Sequence, residues 1–204
     1  MLAAFVDLVS EIFPSVDPRT AAHCLRQLSR GDFDPASLFR ARVFDFLAQG
    51  DVIDLVRFAT TDDEGQQLDY IGPGLLISNT CDADHEEHVV FAACFPLDAF
   101  LEGGIADEPT IRSNCIFNLL YLPLFGPGAR GLVVDLGLLQ SHSRTYVSRS
   151  LFQRAANKLC SLSEWGFYLL LAKLSIHLMR PEAVEVNRGR EEAQAKRGSE
   201  PVAP

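Results

Sequence analysis

Apolar positions along the chain change their spacing at Gly50. Before it they recur at helical steps. Phe5, Leu8, Val9 and Ile12 share one face over residues 2–13. Asp17-Pro18 and Asp34-Pro35 then repeat one device: an aspartate that caps free N–H groups, followed by a proline with no N–H to lose. Gly31 and Gly50 follow as helix terminators, so helices are predicted over 18–29 and 35–49, the second turning Phe39, Val43, Phe46 and Leu47 inward. Residues 1–49 thus read as an N-terminal helical segment.

After Gly50 the composition is that of strands. Asp51 to Phe58, Leu68 to Ile71, Leu75 to Thr80, Val89 to Cys94 and Gly131 to Leu136 are short runs rich in apolar, often β-branched residues. Ile116 to Leu124 carries Pro123 and is expected at a sheet edge. Asp98 to Gly103 reads as a helical turn. Short strands joined by Gly/Pro turns favour an α+β fold whose core, residues 50–140, is a small, mostly antiparallel β-barrel. The link from Asp82 to His88 is expected to be an acidic loop between two buried strands.

Residues 141–181 return to helical spacing and are expected to form a C-terminal helical hairpin packing on the barrel. Ser161-Leu162-Ser163-Glu164 fits a capping box, and Pro181 stops the helix. Leu162, Trp165, Leu169, Ala172, Ile176 and Met179 make one apolar stripe. Phe167, Leu170, Leu171, Leu174 and Leu178 make a second, to be covered by the N-terminal helices or by a partner. Residues 182–204 hold little to bury and are expected to be a disordered tail.

Composition narrows the function classes. The chain of 204 residues is 48% hydrophobic and 22% charged, with a net charge of −9. That balance suits a folded core, and the acidity disfavours broad nucleic-acid binding. Arg19, Arg26, Arg30, Arg40 and Arg42 make the first helices locally basic, a hint of helix-turn-helix that an ordinary solvated hairpin explains better. The five cysteines are scattered without a Cys-x-x-Cys pair, which suits a reducing compartment. Without a targeting or spanning segment in view, a cytoplasmic protein is expected.

The chemistry-bearing residues fall in two places. Asn79, Thr80, Cys81 and Asp82 lie where a buried strand ends and are the candidate binding corner. The following Asp84, His85, Glu86, Glu87 and His88 suggest a metal, but no second cluster completes a site, so no metal or other cofactor is expected. The acid neighbours of Cys81 disfavour a nucleophilic thiolate. Further on, His142 and Arg144 could move a proton and hold a phosphate. With Asp82 they are the candidate catalytic residues for cleaving RNA without a metal.

Gly50-Asp51-Val52, a strand ending at Phe58, and then Gly72-Pro73-Gly74-Leu75-Leu76-Ile77-Ser78-Asn79 resemble the opening of the PemK/MazF growth-inhibitor family over about residues 50–95. The resemblance implies an SH3-like barrel, a bacterial toxin–antitoxin or phage-defence setting, and cleavage of single-stranded RNA. One departure stands out: the family's site arginine, in its Arg-Pro step, is Gly72 here. Losing a fixed cation from a phosphoryl-transfer site removes charge stabilisation. A non-catalytic barrel that recognises a partner protein is therefore expected first, and a metal-independent endoribonuclease second. Self-association is left open.

Overall fold

The computed structural model describes residues 35–104, 106–114, 116–123 and 130–178. The helices expected over 2–13 and 18–29 and the tail over 182–204 lie outside these residues. A 3-10 turn, Pro35–Leu38, precedes β1 (Asp51–Thr61), β2 (Gln67–Leu76), α1 (Thr80–His85), β3 (His88–Pro96), α2 (Leu97–Glu102) and α3 (Glu108–Arg112). There follow β4 (Leu119–Leu122), β5 (Leu132–Ser143), α4 (Arg144–Phe152), β6 (Lys158–Ser161) and α5 (Glu164–Leu178). The fold is α+β. Its strands form one six-stranded antiparallel sheet in the order β4-β5-β3-β2-β1-β6.

Both faces of the sheet are covered, which is why β3 is a continuous apolar run rather than an alternating one. On one face Leu75, Ala92, Cys94, Leu120 and Leu136 pack against Leu169, Leu170 and Leu174 of α5. On the other, Phe58, Leu76, Phe91 and Ala93 meet Ala83 of α1 and Val147 of α4. A third cluster joins Phe100 of α2 and Ile111 of α3 to Leu119, Tyr121 and Val133.

The sheet curls without closing into a barrel: β4 and β6 are its two edges, and no ladder joins them among the described residues. The curl comes from β5. Its pairing with β3 jumps from Ala93↔Asp135 to Ala92↔Leu139, a bulge that bends the strand around Gly137, whose N–H donates to Asp135. The far half of β5 thereby swings over β1, although β3 and β2 lie between them in the sheet. There the His142 ring meets Phe58 edge-on at 6.2 Å, and the Ala59 N–H points to Gln140 Oε1 at 3.4 Å.

Both edges are occupied. The Asn114 side chain acts as a strand for β4, accepting from Tyr121 N at 2.7 Å and donating to Tyr121 O at 3.3 Å. The buried Lys173 ammonium fixes that loop by donating to the carbonyls of Asn114 and Ile116. Beyond β6, Arg40 N donates to Ser161 O at 3.0 Å, and Phe39 bridges Leu162.

Four local expectations need correcting. The helix predicted over 35–49 is one 3-10 turn followed by an irregular strap, because the strap's backbone groups are claimed from far along the chain. Phe44 N donates to Ser161 Oγ, Gln49 N to Thr80 Oγ1, and the Lys158 ammonium to the carbonyls of Phe44 and Phe46. The acidic link after Asn79 is α1 and not a loop: Asn79 Oδ1 accepts from Cys81 N and Asp82 N and so starts a helix. The C-terminal helices are no hairpin, since β6 lies between them and joins the sheet beside β1. The capping serine of α5 is Ser163, which accepts from Gly166 N, while Ser161 is a strand residue.

The second apolar stripe of α5 offers no broad partner surface. Leu170, Leu171 and Leu174 are buried, and exposure returns at Leu178.

Candidate functional site

The centre of the molecule's polar chemistry is a buried ion pair. Asp51 opens β1 and is fully buried. Lys158 opens β6, only 10% of its side chain is exposed, and its ammonium lies 2.6 Å from the Asp51 carboxylate. Ser161 Oγ donates to the same carboxylate at 2.5 Å, and Ala48 N at 2.8 Å. Through Ala48 N on Asp51, Phe44 N on Ser161 Oγ and the Lys158 ammonium on the carbonyls of Phe44 and Phe46, this group also bonds the strap. Its role is to hold residues 44–48 against β1 and β6.

The candidate binding residues serve the backbone. Asn79 caps α1, Thr80 Oγ1 takes the Gln49 N–H at 3.1 Å, and Cys81 is an exposed residue of the first turn. Thr80 also lines a cleft of about 300 Å³ between the strap and the start of α5. The thiols differ sharply. Burial pushes Cys94 well up and Cys160 to about 12. We expect a maleimide or iodoacetamide at neutral pH to label the exposed Cys81 in the folded chain, with Cys94 and Cys160 silent until the chain unfolds. Peptide mapping by mass spectrometry checks this; native labelling of Cys94 would contradict the packing described.

None of three clefts among the described residues is lined by more than one candidate catalytic residue. Asp82 sits exposed on α1 and lines none of the clefts described here. Arg144 begins α4, and its Nε donates to the Glu86 carbonyl at 2.8 Å while its N–H donates to Glu87 O. The guanidinium thereby ties α4 to the end of α1, on the wall of a cleft of about 620 Å³. His142 belongs elsewhere, on a crevice of about 140 Å³ between β1 and α4. Its ring lies edge-on to Phe58 and Phe91, and its Nε2 is covered without a hydrogen-bond partner. Burial lowers its pKa, partly opposed by a hydrogen bond to the Arg57 backbone. Such a ring bridges β1, β3 and β5.

Beside that crevice β1 carries a bulge with Leu55 in the left-handed region at φ 55°. Asn157 holds it by donating to both oxygens of Asp54, at 2.5 Å from N and 3.0 Å from Nδ2. At Gly72 an added Cβ would lie 2.0 Å from the Tyr70 hydroxyl. That hydroxyl donates to Cys94 O at 2.7 Å, so the ring occupies the space a longer side chain would need.

No group of His, Cys, Asp and Glu among the described residues is placed to hold a metal ion. His85 ends α1 and His88 begins β3, both exposed. No helix among those residues is long and apolar enough to cross a membrane. Sequence reasoning missed the strap and the Asp51–Lys158 pair that organises it. The lone lysine of Lys158-Leu159-Cys160-Ser161 and the isolated Asp51 were the available signals. No protein-family model matches the chain, and no curated protein matches it significantly in sequence.

Proposed function

We propose that the chain is a non-catalytic recognition module built on a PemK/MazF-like sheet of SH3-like ancestry, working in the bacterial cytoplasm in a toxin–antitoxin or phage-defence system. The observation that carries this reading is the separation of Arg144 from His142. One is tied to a carbonyl on the large cleft, the other wedged between aromatic rings on a different crevice. A general acid or base and a phosphate-holding cation must converge on one reacting group to cleave RNA. Gly72 supports the same reading, since it supplies no cation at the step where the family has its arginine. The curl of β5 over β1 is what supports kinship with small barrels.

The test is incubation of purified protein with mixed single-stranded RNA, with and without chelator. The expected result is intact RNA in both arms. Chelator-resistant cleavage that disappears in Arg144→Ala would replace this reading with that of an endoribonuclease.

A further inference from the structure

The cleft of about 620 Å³ lies between the strap and α4, with α1 at one end. Its size falls within the roughly 300–1,000 Å³ of ligand-binding clefts. Along its rim Phe152 is 89% exposed, Phe46 49% and Val43 42%. A single exposed apolar side chain means little, but these three border one depression. Phe152 ends α4, and so much exposure leaves its ring little share in the core.

The charges of the cleft are unevenly answered. Lys158 is neutralised by Asp51, and Arg144 holds the Glu86 carbonyl. Asp45 on the strap and Asp84 on α1 form no ion pair among the described residues. Two open carboxylates facing one guanidinium leave the cleft negative, within a chain whose net charge is −9. Such a field draws in cations and repels anions.

From this we infer that the cleft docks a short amphipathic segment of a partner protein, its apolar side chains against Phe46 and Phe152 and its lysine or arginine against Asp45 and Asp84. The inference rests on the recognition-module reading and gives its partner a chemistry. Apolar anchors supply affinity and the carboxylates supply the choice of sign.

Fluorescence polarisation with a labelled peptide of leucine and lysine at helical spacing tests it, beside a counterpart with glutamate for lysine. The lysine peptide is expected to bind and the glutamate peptide not. Phe152→Ser, and separately Asp45→Asn with Asp84→Asn, should each weaken binding about tenfold or more. These positions are exposed, so thermal melts should match the parent. Equal binding of both peptides, or binding unchanged in both variants, would overturn the inference. No binding of either peptide by a protein that leaves RNA intact would overturn the cleft alone. Selective peptide binding by a protein that cleaves RNA would support the cleft and remove the module reading.

Discussion

Lys158→Met lowers the unfolding free energy by about 3–5 kcal/mol, the usual cost of leaving one member of a buried ion pair without its partner. The loss has several parts. Asp51, fully buried, keeps only the donors Ser161 and Ala48. The carbonyls of Phe44 and Phe46 lose the ammonium that satisfies them. The strap should then loosen first, and hydrogen exchange at residues 44–49 should accelerate more than in β3. Pairing the change with Asp51→Leu should recover a good part of the stability, because the double variant strands no charge. Urea denaturation measures both. Additive losses in the double variant would show that the two groups do not act as a pair.

Phe58→Ala should cost about 3–5 kcal/mol, as large-to-small changes at filled core positions do. Phe58 is almost wholly buried and stacks near Tyr70 at 6.0 Å besides touching His142. It therefore holds the place where β5 crosses β1. A second readout isolates that role. Burial holds His142 below its ordinary value of 6.5. The folded chain then binds fewer protons than the unfolded one below that pH. Its contribution to stability is complete above pH 6.5 and is lost as pH falls through the depressed folded value. Removing the Phe58 ring lets water reach the imidazole, so its titration midpoint should move up toward 6.5. An NMR titration that shows no upward movement would mean that Phe58 does not shield His142. Either cost is a large share of the roughly 5–15 kcal/mol by which domains are stable.

The strands were legible because burial on both faces writes itself as uninterrupted apolar residues. Val89 to Cys94 is the clearest case, and it is the centre of the sheet. The strap was illegible for the opposite reason. Phe39, Val43, Phe46 and Leu47 have helical spacing, yet the backbone groups of Phe44, Phe46 and Gln49 beside them are bonded to Ser161, Lys158 and Thr80, between 31 and 117 residues away. Local pattern carries no trace of such partners. Ser161 shows the same limit: its neighbours spell a helix cap, while its hydroxyl belongs to Asp51.

The candidate site was legible in part. The sequence picked out the corner after β2 and the segment that ends β5; Arg144 of that segment bonds the carbonyls of Glu86 and Glu87, at the far end of α1 from the corner. What it could not supply was direction. Positions two apart on an extended strand face the same way, but β5 ends at Ser143 and the step into α4 puts His142 and Arg144 on separate clefts.

The amide of Asn114 spans β4 as a false rung, and the strap does the same beyond β6. Such cover leaves a second copy less backbone to continue along at Tyr121 and at Ser161. That cover works against edge-to-edge growth of crowded chains, and a mutation that frees Asn114 from Tyr121 would weaken it at β4.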